Sequence, residues 1–141
     1  MKEIGGYLEF ESLKGREYYN FMAFNIARNA LRYIIKKRDI KELYIPIFLC
    51  ETVYKACLKE KVNINFYHID NKFNPVIKDI KKSAYVLIVN YYGLLNNKQL
   101  KKLKREFGNI IIDNTHSFFQ KPINGIDTIY SCRKYFGVPD G

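Results

Sequence analysis

No stretch of the sequence carries the apolar core of a secretory signal. The N-terminus reads Met1-Lys2-Glu3-Ile4-Gly5-Gly6, so export is not expected. No apolar run reaches the length needed to cross a bilayer, and no membrane partner is expected. The three cysteines, Cys50, Cys57 and Cys132, are odd in number and show no CxxC spacing. That argues against a disulfide framework or a zinc site and for reduced thiols in a cytoplasmic protein. Repeats and low-complexity segments are missing too. Acidic residues are in short supply, 14 against 24 Lys and Arg, which leaves a net charge of +10.

A basic chain can be a nucleic-acid binder. Here, however, the basic residues are dispersed, with clusters at Lys36-Lys37-Arg38, Lys81-Lys82 and Lys101 to Arg105. Each cluster falls near an expected helix or helix end and reads as a solvated face. No recognised nucleic-acid motif accompanies them, so such a partner is not expected. The 12 Tyr and 10 Phe lie mostly inside apolar, strand-like runs, where core packing is the simpler account. With 48% hydrophobic residues in 141, the chain can build one domain with one sizeable core.

Hydrophobic periodicity alternates between strand and helix. Tyr19 to Asn25 is a short apolar stretch, taken as the first strand. Ala27 to Lys37 has helical spacing, with Ala30, Leu31, Ile34 and Ile35 on one side. Leu43 to Phe48 is strand-like, and Pro46 pushes its end to a sheet margin. Glu51 to Lys59 is a short helix, and Val62 to Ile69 alternates like a half-exposed strand. Tyr85 to Val89 and Ile110 to Ile112 are continuous apolar runs suited to strands covered on both faces. Lys98 to Phe107 is an amphipathic helix, and Asp127 to Ser131 the last strand. The alternation predicts an α/β fold, a mainly parallel sheet with flanking helices.

In such sheets ligands bind beyond the carboxyl ends of the strands. The residues there are unusually polar: Asn25 to Asn29, Phe48-Leu49-Cys50, Asn90-Tyr91-Tyr92-Gly93, Asp113-Asn114-Thr115-His116 and Ser131-Cys132-Arg133-Lys134. Asp113 follows three isoleucines, and a carboxylate at the tip of a buried strand is costly without a cationic partner. It is either a turn or helix-capping aspartate or a carboxylate that holds a protonated ring nitrogen. Lys134 is either an ordinary surface lysine or one that forms an imine with an aldehyde cofactor. Arg133 beside it would favour the neutral amine by like-charge repulsion. Pyridoxal phosphate chemistry requires such a lysine and such an acid, together with a phosphate cradle. Asn25 to Asn29, opening the first helix, could supply the cradle.

The stretches FNIARNAL, LYIPIFLC, VNINFYHID, VLIVNYYG, IIIDNTHSFF and DTIYSCRKYFGVPDG occur in an order that resembles the DegT/DnrJ/EryC1/StrS family of pyridoxal-phosphate-dependent sugar aminotransferases. The likeness covers nearly the whole chain. It implies the aspartate-aminotransferase architecture, fold type I, with pyridoxal 5'-phosphate as cofactor. By resemblance, Asp113 matches the pyridinium-binding aspartate and His116 the His or Gln near the phenolic oxygen. Lys134 matches the imine-forming lysine, and Ser131 is a phosphate contact. Ala27, Arg28 and Asn29 match the phosphate-binding turn, although Ala-Arg stands where the family has Gly-Thr. The residue stacked on the cofactor ring would be Phe48 or Cys50, and His68 is a strand-surface histidine.

The resemblance further implies amino transfer from glutamate to a keto group of a nucleotide-linked sugar, in cell-surface polysaccharide biosynthesis, by a homodimer when complete. It also implies that residues 1–141 are a truncated N-terminal part of the large, cofactor-binding domain. The antiparallel strand that follows the lysine in the family and the C-terminal small domain are absent. Weak or no catalysis by this chain alone is expected. The alternative is a non-catalytic binding or interaction module that keeps the front half of the fold.

Overall fold

The computed structural model describes residues 21–138. The helices are α1 (Ala27–Lys37), α2 (Glu51–Lys59) and α3 (Asn97–Phe107). The strands are β1 (Glu42–Pro46), β2 (Asn63–Ile69), β3 (Pro75–Val76), β4 (Tyr85–Val89), β5 (Asn109–Asp113) and β6 (Asp127–Ile129). They form one sheet in the order β3-β2-β1-β4-β5-β6. All neighbours are parallel except β2 and β3, which pair antiparallel. Among the described residues, β6 is one edge of the sheet.

Strand alternation sorts the core into two layers. Leu87, Val89, Ile111 and Ile129 pack with Leu31 and Ile35 of α1 and Cys57 of α2. Their neighbours Val86, Ile88, Ile110 and Ile112 pack with Leu100 and Phe107 of α3. Helices therefore cover both faces of β4 and β5, which explains why those strands read as unbroken apolar runs. Burial pushes the Cys57 thiol up to about 11, so it is an inert core residue at neutral pH.

The helices have local causes. In α3, the Asn96 side chain accepts from Gln99 N at 3.0 Å while Gln99 Oε1 accepts from Asn96 N at 2.9 Å, a reciprocal capping box. Gly108 then ends the helix with φ 76°, a conformation that suits glycine. Arg38, just past α1, grips Asp127 of β6 through Nε (2.7 Å) and Nη2 (3.0 Å), tying that helix to the sheet edge.

Three expectations change, one of them at β6, which was expected through Ser131 and ends at Ile129. Residues 19 and 20 lie outside the described residues, and Phe21 to Asn25 form no strand. Phe21 stacks on Tyr130 (5.0 Å, 17°) and Phe24 packs against Tyr33. The strand expected through Phe48 ends at Pro46. β1 pairs with β4 only at Leu43 and Tyr44, so the missing N–H of Pro46 falls where no β4 bond is made. The antiparallel β3 was not expected.

Helices α1 and α2 are joined by Glu60, whose side chain accepts from Arg32 Nε and lies 3.4 Å from Lys36 Nζ. Burial alone would raise the Glu60 carboxyl, but the bonds from Arg32 and Lys36 outweigh it and hold it below the usual 4.5. A depressed folded pKa contributes stability above the unfolded value and loses it as pH falls through the folded one. Glu60→Gln is therefore expected to cost about 1–3 kcal/mol at pH 7. In urea titrations the gap from the parent chain should close as the pH drops below 4.5.

Candidate functional site

The order of the strands decides where a site can form. From β1 the sheet grows to β2 on one side and to β4 on the other, so the order in which strands are added reverses between β1 and β4. At such a switch point the loops leaving adjacent strands part and open a crevice at their carboxyl ends. A cavity of about 490 Å³ lies there, lined from β1 by Phe48, Leu49 and Cys50 and from β4 by Val89, Tyr91 and Tyr92. Beyond β5 it is lined by Asp113, Thr115 and His116, and beyond β6 by Ser131, Arg133 and Lys134. Ile26, Ala27 and Arg28 close it at the start of α1.

Two buried asparagines hold these loops. Asn90 N donates to the Asp113 carbonyl (3.0 Å) and Asn114 N to the Ile129 carbonyl (2.8 Å), carrying the ladder one residue past the strands. Asn90 Nδ2 lies 3.1 Å from Asn114 Oδ1, 3.1 Å from the Leu95 carbonyl and 2.7 Å from Gln120 Oε1. Asn90 Oδ1 accepts from Leu95 N at 2.9 Å. Tyr130 OH closes the network by donating to the Gln120 carbonyl at 2.8 Å. The loops after β4, β5 and β6 are thus locked to one another by satisfied buried bonds.

Asp113 is 7% exposed. Its Oδ1 accepts from Thr115 N at 2.9 Å, while Oδ2 has no partner among the described residues. Among those residues it is also the only carboxylate lining the cavity, whose cations are Arg28, Arg133 and Lys134. None of these three forms an ion pair among the described residues. Lys134 Nζ donates to Thr115 Oγ1 at 3.4 Å from a single turn of 3₁₀ helix, Cys132–Lys134. Ser131, nearly buried, immediately precedes that turn.

His116 Nδ1 is sealed from solvent and has no hydrogen-bond partner among the described residues. Burial lowers the imidazole pKa from its ordinary 6.5 and the charge of Lys134 adds to this, against an opposing pull from Asp113. Cys50 precedes α2. Its thiol is lowered chiefly by the contact with Thr52 Oγ1 (3.1 Å), with a smaller contribution from Lys134 and Arg28. The first turn of α1 has no side-chain cap and no acidic residue; Asn29 N donates to the Ile26 carbonyl (3.0 Å), which leaves the amides of Ala27 and Arg28 open to an anion.

Of the residues singled out in the sequence, Lys134, Asp113, His116, Ser131, Ala27, Arg28, Cys50 and Phe48 all line this cavity. Asn29 does not. Its side chain turns back to accept from Arg32 and to donate to Asn25 Oδ1 at 2.7 Å. His68 lies on β2, away from the cavity lining. Thr115, Tyr91, Tyr92 and Arg133 join the site without having been assigned a contact in it. Their positions directly after strands were the available signal. Tyr91 OH donates to the Phe48 carbonyl, bracing the β1 and β4 loops across the switch point.

No known protein family and no curated protein matches the chain by sequence. Solved structures do match by fold. One is 3-amino-5-hydroxybenzoic acid synthase, with a TM-score of 0.59 and 16% identity over 78% of this chain and 33% of that one. Another, assigned as a sugar aminotransferase from Streptococcus pneumoniae and solved in its PLP form, gives 0.58 and 15% over 76% and 36%. A third, a PLP-bound protein assigned as an aminotransferase from Clostridium difficile 630, gives 0.61 and 12% over 84% and 39%. The fold is part of the pyridoxal-phosphate-dependent transferase fold. The chain spans about a third of the length of these structures.

Asn90→Ala would strand Leu95 N and loosen Gln120. It is expected to cost about 1–3 kcal/mol by chemical denaturation, the usual penalty for unpaired buried polar groups. Asn29→Ala, outside the cavity, should cost clearly less.

Proposed function

We propose that this chain is the front part of the large domain of a pyridoxal-phosphate-dependent aminotransferase and that the switch-point cavity is its cofactor site. The observation that carries the reading is the nearly buried Asp113 with one uncommitted oxygen, in a cavity whose other charged groups are cationic. The donor set suits the group. Asp113 Oδ2 would accept from a protonated ring nitrogen, and His116 would lie beside the phenolic oxygen. The uncapped start of α1, with Arg28 and Ser131, would take the phosphate. Arg28 offers a charged donor where the family carries Gly-Thr.

When bound, pyridoxal phosphate supplies the electron sink for the carbanion made by removing an amino acid's Cα proton. The chain's own residues set the conditions. Asp113 keeps a ring nitrogen protonated. Lys134 Nζ would hold the cofactor's aldehyde carbon and would serve as the base that takes up the substrate's Cα proton. The proposed substrates are glutamate as amino donor and a keto sugar nucleotide as acceptor. Their support is the sequence resemblance together with a fold shared with a protein assigned as a sugar aminotransferase. Homodimerisation belongs to the same proposal.

The test is to add pyridoxal phosphate to the purified chain, reduce with borohydride and map the adduct by peptide mass. Modification should concentrate on Lys134 and vanish in Lys134→Ala. Asp113→Asn should weaken binding by about one to two powers of ten, the worth of a charge-assisted bond. Adducts spread evenly over surface lysines would sink the cofactor reading. Robust turnover by the isolated chain would sink the claim that it is only the front part of the domain.

A further inference from the structure

Tyr92 stands out at the rim of the cavity. Its backbone is left-handed (φ 53°, ψ 17°), and Gly93 follows at φ 71°. An aromatic residue in that conformation is disfavoured, and glycine or asparagine would adopt it more cheaply. The turn also packs closely on the next loop, since a Cβ on Gly93 would meet Ser117 Oγ at 3.0 Å. Yet the Tyr92 side chain contributes little to the core, being 68% exposed. Backbone strain retained for an exposed ring points to a task for that ring.

The ring lies over His116, with centroids 5.7 Å apart and planes 22° from parallel. Its other neighbour, Phe73, meets it edge-on at 5.8 Å. Nδ1 of His116 receives no hydrogen bond from the described residues that would fix the ring. Stacking on Tyr92 is therefore the directional contact that orients the imidazole. Nδ1 is sealed without a partner, so Nε2 is the nitrogen left open. A buried N–H without an acceptor is costlier than a buried lone pair without a donor, which places the proton of the neutral ring on Nε2.

We infer that Tyr92 is a positioning residue: by stacking on His116 it holds the imidazole with Nδ1 dry and Nε2–H presented as a donor to an oxygen of the ligand. The ligand's identity rests on the proposed cofactor reading. The arrangement of the two rings does not. Lys134 and Asp113 act on the same imidazole from the adjacent loops, and Arg28, Cys50 and Arg133 share the cavity.

The decisive measurement is nitrogen-detected NMR of the histidine ring in the full chain without cofactor. The sequence holds only His68 and His116, so His68→Gln assigns the signals. The parent chain and Tyr92→Phe should show the Nε2–H form of His116 and the same titration midpoint. Tyr92→Gly should mix the two tautomers and move the midpoint upward as burial is lost, with thermal stability no lower than the parent's. Tyr92→Asn, which tolerates the same backbone, takes its place if the glycine chain fails to fold. An unchanged tautomer and midpoint, or loss of folding in both variants, would overturn the inference and make the ring merely structural. In a parallel titration with pyridoxal phosphate, Tyr92→Gly should bind about threefold to tenfold more weakly, the range an aromatic pair contributes. Absence of binding by the parent chain would overturn the cofactor reading, while the NMR spectra would still decide the role of Tyr92.

Discussion

Asn90 and Asn114 occupy the places where a parallel ladder runs out and three loops must diverge. Each extends the ladder through its backbone, and their side chains meet 3.1 Å apart. Everything at this edge of the sheet is referred to them. Asp113 precedes Asn114 and His116 follows it by two residues. Tyr92 is two residues past Asn90, and Ser131 follows Tyr130, whose hydroxyl closes the network. Apolar residues could fill the same volume, but they would not fix the loops' mutual register. Directional bonds in a water-free layer do so because any slip leaves a donor or acceptor unpaired.

The electrostatics of the site follow from that frame. Holding the loops together brings Arg28, Arg133 and Lys134 around a single carboxylate, with the open start of α1 alongside. None of the three cations is neutralised by an ion pair among the described residues. On the proposed reading the cavity would suit a ligand with an anionic end for these cations and an end that offers a donor to Asp113. A phosphorylated pyridine has those two ends, which is why the charge pattern and the fold support the same proposal independently.

Much of this was legible in the residues. Helices α1 and α2 fall on the spans their periodicity indicates, and β4 coincides with YVLIV, because in each case local pattern and burial agree. Polar residues after apolar runs pointed to the edge that carries the cavity, since parallel strands bring all such positions together. The features that local pattern does not reveal depend on partners distant in sequence. β3 has two residues and exists through its pairing with β2. The segment Phe21 to Asn25 is apolar enough for a strand, but it is not one among the described residues. Asn29 has the right position and the wrong direction, drawn off by Asn25 and Arg32. The left-handed turn at Tyr92 carries no glycine or asparagine at that residue to announce it. The bond between Asn90 and Gln120 joins positions that nothing in the local sequence relates.

The switch point also has a kinetic side. β1 and β4 are neighbours in the sheet but lie about forty residues apart in the chain, so their pairing must await closure of a long loop containing α2, β2 and β3. They also share a short register, Leu43 with Tyr85 and Tyr44 with Val86, beyond which Pro46 adds nothing. This is the seam of the molecule: late to form and thinly bonded. The cavity sits across it, with Phe48 and Cys50 on one bank and Tyr91, His116 and Lys134 on the other. A ligand that touches both banks acts as a staple. It adds its binding free energy to a junction held by a short register, so that occupancy of the site stabilises the fold across it.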